Sequence, residues 1–132
     1  MPDDVGGGTV KVAKVTLTAA QIQTLGSAYI TVVDAPGAGR TISVLSATAY
    51  LDYNSVAYTG GADLILTYGT AAIVTFDGIL ALTADSVAVA SPAGTETSAT
   101  FVNSTVQVTA DDAPAAGDSP VSIYVVYTVI GL

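Results

Sequence analysis

The side chains of this chain that could do chemistry are carboxylates and hydroxyls. Eleven Asp and Glu stand against only Lys11, Lys14 and Arg40, and histidine, cysteine and tryptophan are all absent. Without imidazole or thiolate there is no Ser-His or Cys-His nucleophile pair, no disulfide and none of the usual zinc donor sets. Paired carboxyls could serve glycoside hydrolysis, which needs two at a set separation with one pKa raised. Most of the acids, however, sit at turns: Asp34, Asp63, Asp77, Asp111, Asp112 and Asp118. There Asp has a backbone-bonding role of its own. Asp111, Asp112 and Asp118 share one loop and offer oxygen donors of the kind calcium takes, but the D-x-D-x-D-G spacing is missing. The run Pro36-Gly37-Ala38-Gly39-Arg40-Thr41 has only part of a phosphate loop. Gly would have to replace Asp34, Lys would have to replace Arg40, and a helix would have to follow where a strand pattern does. The expectation is a protein with no catalytic residue, metal or cofactor, and not an enzyme.

Charge narrows the partners. The formal net charge is -8, so the clustered cations that neutralise phosphates in nucleic-acid binding are missing, and an anionic membrane surface would repel the chain. No secretory signal is expected from the acidic start Met1-Pro2-Asp3-Asp4. The most apolar stretch, Pro120 to Leu132, is shorter than the ~18 residues of a membrane span. Only 11% of the residues are charged, while 51% are hydrophobic and mean hydropathy is +0.62. Ordinary soluble domains carry roughly a quarter charged residues. Either apolar surface is buried against other subunits, as in obligate assemblies, or the many Ala and Val residues inflate the index.

Seven tyrosines outnumber two phenylalanines, and Tyr53, Tyr58 and Tyr68 lie close to turns. Exposed there, they could stack on sugar rings or anchor a protein contact; half-buried strand-end tyrosine is the commoner role. Arg40, the sole arginine, suits an ion pair across an interface or an ordinary turn position. Lys11 or Lys14 with Asn54 or Asn103 could form an isopeptide, but no spacing singles out a pair.

The elements that must position these groups read as β. Residues 1–8 hold two acids and three consecutive glycines, Gly6, Gly7 and Gly8, and gain little by ordering alone, so they read as a flexible arm or tail. As a docking arm, Asp3, Asp4, Val5, Gly6, Gly7 and Gly8 are its candidate contact residues. From Thr9 to Leu132 the pattern is one β domain. Val10 and Val12 share a parity that Val15 and Leu17 do not, which suggests a bulge or a strand break near Ala13-Lys14. Thr18 with Gln21 forms a capping-box pattern for a short helix, with Ile22 and Leu25 toward the core and Gly26 as its stop.

Strand patterns then run over residues 28–34, with Ile30 and Val32 on one face, and over 41–53, with Leu45, Ala47, Ala49, Leu51 and Tyr53 on one side. Further strands fall at 63–68, 72–76, 86–90, 99–102, 105–109 and 121–130, with 79–82 ambiguous between strand and a turn of helix. Turns at 35–39, 54–62, 69, 77–78, 91–97 and 111–120 separate them. About eight short strands with almost no helix predict a β-sandwich, with a jelly roll favoured by length and an immunoglobulin-like sandwich as the alternative. The last strand is apolar on both parities, Val121, Ile123, Val125, Tyr127 and Val129 against Tyr124, Val126 and Ile130. Such a strand lies centrally or at a subunit contact. Arg40, Tyr124, Val126 and Ile130 are therefore the candidate subunit-interface residues.

Four segments in this order resemble a type of small tailed-phage virion protein: Val15-Thr16-Leu17-Thr18-Ala19-Ala20-Gln21-Ile22; Val32-Val33-Asp34-Ala35-Pro36-Gly37-Ala38-Gly39-Arg40-Thr41-Ile42; Ala57-Tyr58 with Asp63-Leu64-Ile65-Leu66-Thr67-Tyr68; and Gly117-Asp118 before Val125-Val126-Tyr127-Thr128-Val129-Ile130. Arg40 stands where Lys is frequent in that type. The resemblance covers nearly the whole chain after Gly8, and its motifs are structural rather than chemical. It implies a virion structural protein made in the host bacterial cytoplasm. Some of the type are capsid decoration (cement) proteins, often trimers, that bind the major capsid protein on the capsid exterior; others belong to tail fibres or receptor-binding parts. On the first reading the arm would dock on the capsid.

Overall fold

The computed structural model describes residues 9–92 and 101–132. Eight strands are defined among them: β1 (Lys11–Leu17), β2 (Ile30–Val33), β3 (Arg40–Leu51), β4 (Leu64–Tyr68), β5 (Ala71–Phe76), β6 (Ser86–Ala90), β7 (Val106–Ala110) and β8 (Val121–Gly131). One short helix, α1 (Ala19–Thr24), follows β1 and passes into a 3-10 turn at Leu25–Ser27. Its start is the capping box expected from sequence. Gln21 N–H donates to Thr18 Oγ1 at 3.2 Å, and Thr18 N–H donates to Gln21 Oε1 at 2.9 Å. Ile22 and Leu25 are fully buried.

Two four-stranded sheets form, β1-β8-β3-β6 and β2-β7-β4-β5, and every pair is antiparallel. The pairing follows from one long double ribbon. β1 lies with β8, β2 with β7, β3 with β6 and β4 with β5; β3–β8 and β4–β7 contacts then close the wrapped ribbon into sheets. This is the jelly roll, not the immunoglobulin order. The sheets face each other across a core in which Leu17, Leu51, Leu64, Leu66, Phe76 and Ile123 are almost wholly excluded from solvent.

Bulges decide which parity faces that core. In β3 the register steps between Val44 and Ser46. Leu45 is thereby turned out to 45% exposure, while Ala47, Ala49 and Leu51 stay inside with Ile42. The even alternation expected from Leu45 onward thus fails at its first residue. β2 steps between Thr31 and Val33, so buried Val33, opposite Val106, joins Ile30 and Val32, which are both partly buried against the core as expected. β1, by contrast, has no bulge: it pairs without interruption from Lys11↔Tyr127 to Leu17↔Val121. The apparent change of phase arises because Val10 and Val12 face solvent.

Ile79–Ala81 is a 3-10 turn. Residues 101–103 form a turn, not the end of a strand; residues 99 and 100 of that expected strand, and residues 93–97 of the expected loop, lie outside the described residues. Gly37 and Gly39 take the positive φ (111° and 73°) that their turn requires. No helix among the described residues is long and apolar enough to cross a membrane.

Candidate assembly surface

β8 is central in its sheet, between β1 and β3. Its inward row, Val121, Ile123 and Val125, is fully buried. Its outward row is half-buried, and the register shows what surrounds it. Tyr124 lies beside Lys14 of β1 and Thr48 of β3, and Thr48 lies beside Val89 of β6. One step along, Ser122 sits between Thr16 and Tyr50, and Tyr50 faces Val87. In the other direction Val126 sits between Val12 and Ser46. Cross-strand partners share a face, so these rows make one continuous outer surface of valine, tyrosine and hydroxyl side chains across four strands. Val12, Val87 and Val89 are 65%, 63% and 73% exposed on it, and bulged Leu45 adds to the exposed apolar surface. An antiparallel sheet with a solvated face normally alternates apolar-in and polar-out. Here apolar side chains occupy both faces, and no element among the described residues covers the outer one.

Lys14 is the one charge within these rows. Its Nζ lies 5.4 Å from the centroid of the Tyr124 ring, a cation–π contact that seats the ammonium on the apolar surface. Thr16 and Ser122 hydroxyls bond at 3.1 Å. At the rim, the Asp85 carboxylate, with lesser contributions from burial, Asp52 and Tyr124, raises the pKa of Tyr50. Asp85 itself is tied down, accepting from Tyr53 N–H at 2.9 Å.

The structure therefore brings two candidate interface residues, Tyr124 and Val126, to the middle of this face. Ile130 shares their parity but lies farther along β8, opposite Thr41. Arg40 does not join them. It pairs with Gly131 at the far end of β3 and lines, with Lys11, Asp34, Tyr127 and Val129, a cleft of about 450 Å³ between β1 and β2. The sequence reading missed Val12, Val87 and Val89. The available signal was the alternation of Val with Ala in β6: the small Ala88 and Ala90 pack on the core and leave the valines outside. The arm candidates Asp3, Asp4, Val5, Gly6, Gly7 and Gly8 lie outside the described residues.

The acids and tyrosines that suggested other chemistry are engaged in holding loops. Asp118 accepts from Ser55 N–H (3.1 Å), Val56 N–H (2.9 Å), Asn54 Nδ2 (2.8 Å) and the Ser55 hydroxyl. These donors, the Ser55 hydroxyl foremost, hold its pKa far below the ordinary carboxylate range. Asp111 Oδ1 accepts from Asp63 N–H, and Asp112 Oδ1 accepts from Ala113 N–H, so the three acids of this loop serve separate backbone donors.

Tyr58 and Tyr68 are 4% and 6% exposed, and neither can line a sugar-binding groove. Tyr58 donates to Ser119 O at 2.6 Å. Ile42 N–H donates to Tyr68 Oη at 2.6 Å, and Thr41 Oγ1, 2.5 Å from that oxygen, donates on to Phe101 O. Tyr53 donates to Ser55 O at 2.7 Å.

No protein-family model matches the chain, and no curated protein matches it. Among solved structures, a chain of the cyanophage Pam1 capsid asymmetric unit shares the fold with a TM-score of 0.52 and 23% identity. The likeness spans 97% of this chain and 90% of that one, so it takes in the β-sandwich as a whole.

Proposed function

We propose that this protein is a phage virion structural protein of the capsid decoration (cement) type. It acts as a homotrimer on the capsid exterior, bound to the major capsid protein, and stabilises the head by added contact area. It carries out no reaction, needs no cofactor and engages neither nucleic acid nor membrane. The observation that carries this reading is the uncovered outer face of the β1-β8-β3-β6 sheet, centred on Tyr124 and Val126. Copies that each carry a net charge of -8 repel one another, so their lasting contacts must be made by surface poor in charge. This face has that character. Closed symmetry repeats each contact in every copy, and many copies on one shell sum modest contacts into a large total. The full-length likeness to a chain of a phage capsid asymmetric unit supports the setting.

The test is to mix purified protein with heads of the parent phage that lack it. Sedimentation should show saturable binding, and the free protein should sediment as a trimer. A protein that stays a lone subunit at high concentration and ignores the heads would overturn the proposal.

A further inference from the structure

The four edge strands of the two sheets are β1, β6, β2 and β5, and three of them carry a device that discourages pairing with another chain. β1 presents Lys11 and Lys14. β2 is four residues long and its register steps between Thr31 and Val33. β5 is bulged where Leu66 faces Val74 and Thr67 faces Ala72. Charges, short length and bulges are the usual means of blunting an edge.

β6 has none of these. Its sequence, Ser86-Val87-Ala88-Val89-Ala90, holds no charge and no proline, and its pairing with β3 is regular from Leu51↔Ser86 to Ala47↔Ala90. Beside it the hollow of about 310 Å³ formed by Ala72, Ile73, Val74, Thr75, Ala90 and Ser91 also lacks an ionisable group.

We propose that β6 pairs antiparallel with β6 of a second copy about a two-fold axis at Ala88, extending the β1-β8-β3-β6 sheet across both. The strand is self-complementary in this register. Each Val87 meets the other copy's Val89 on the outer face, and each Ser86 meets the other copy's Ala90 on the inner face. The charge nearest each strand, Asp85, is carried away from its symmetry mate. The two stand about six residues apart along the ribbon, roughly 20 Å, beyond the Debye length of ~8 Å at physiological salt. A second copy is the occupant that fits, because an isologous contact between strongly acidic chains needs a patch that is both uncharged and complementary to itself. The inference rests on the proposed assembly role only for its consequence, a contact linking neighbouring trimers over the head.

The absence of native cysteine allows a clean test by oxidative cross-linking of purified protein. An equimolar mixture of Val87→Cys and Val89→Cys should give covalent dimers, because facing residues fall within disulfide reach. Each variant alone should not, because its own mates lie about 8 Å apart on the diagonal. The double variant should stop at dimers. Val89→Lys, at a side chain 73% exposed, should keep the native fold and weaken two-fold association at least tenfold. Self-cross-linking of a single variant, no cross-linking of the mixture, or a ladder of higher species from the double variant would each overturn the contact. Head binding by the wild-type protein separates the two claims. If wild type binds heads while the mixture fails to cross-link, the decoration role stands without this contact. Cross-linking as expected by a protein that ignores heads would sink the decoration role alone.

Discussion

Gly117 lies so close to the ring of Tyr58 that a Cβ at residue 117 would stand 2.2 Å from Cδ1 and 2.3 Å from Cγ. The ring has no room to retreat. Its hydroxyl is bonded to Ser119 O, its backbone N–H bonds Leu80 O at 3.1 Å, and Gln23 Nε2 holds Gly117 O at 3.0 Å. Glycine is therefore required here for close approach rather than for an unusual φ. Gly117→Ala should destabilise the fold by about 3 kcal/mol, the upper end of the overpacking range, measured as a shift in denaturant midpoint with unchanged m value. A change under 0.5 kcal/mol would mean the loop moves aside freely.

The Asp118 carboxylate clamps residues 54–56 to the loop before β8, and its pKa is lowered by hydrogen bonds to its charged form. Stability from such a group is fully present above its unfolded pKa of about 3.9 and is lost as pH falls through the lower folded value. Asp118→Asn keeps the shape but leaves one acceptor oxygen for several donors. Its melting temperature should lie several degrees below wild type at pH 7, and the gap should narrow below pH 3. A gap independent of pH would show that packing, not charge, holds the clamp.

Burial, reinforced by the nearby Asp118 charge, pushes the Tyr58 hydroxyl up to about 12. Below pH 10 the group is neutral in folded and unfolded chains alike. Between pH 10 and about 12 only the unfolded chain ionises, so stability falls as pH rises, by about 2–3 kcal/mol at the upper limit. Tyr58→Phe should be less stable at pH 7, having lost a buried hydrogen bond, and should show a flatter decline across that window. Parallel curves for the two proteins would contradict the shift.

On the outer sheet face, Val126→Asp places a charge between Val12 and Ser46 without touching the core. Thermal stability should change by less than about 1 kcal/mol, as surface substitutions do, while head binding or trimer formation should weaken at least tenfold. A large loss of stability with assembly intact would assign Val126 to folding instead.

Much of the architecture was legible before any coordinates. Alternating Val and Thr runs separated by Gly, Pro and Asp turns dictate short strands, and the chain length suits eight of them in two sheets. The Thr18–Gln21 capping box and the paired glycines of the 35–39 turn are local signals, decided by neighbours in sequence, and they hold. Local pattern also marked β8 as apolar on both parities, which drew attention to Tyr124 and Val126. What failed locally was phase at Leu45. A one-residue bulge is set by the partner strand's register and leaves no trace in alternation until the pairing is known.

Tertiary structure alone decided where the proposed contact surface lies. Arg40 and Tyr124 both belong to the β3–β8 ladder, yet long-range pairing puts Arg40 at one end of it and Tyr124 well inside, and gives Arg40 the company of Lys11 instead. Val12, Val87 and Val89 come from distant parts of the chain, and only the jelly-roll wrapping, which brings β1, β8, β3 and β6 side by side, joins them into one face. Composition, 51% hydrophobic and 11% charged, pointed either to an index inflated by small Ala and Val residues or to such a charge-poor surface. Its location depended on contacts between strands remote in sequence, and those are fixed by packing rather than by the residues nearest each other along the chain.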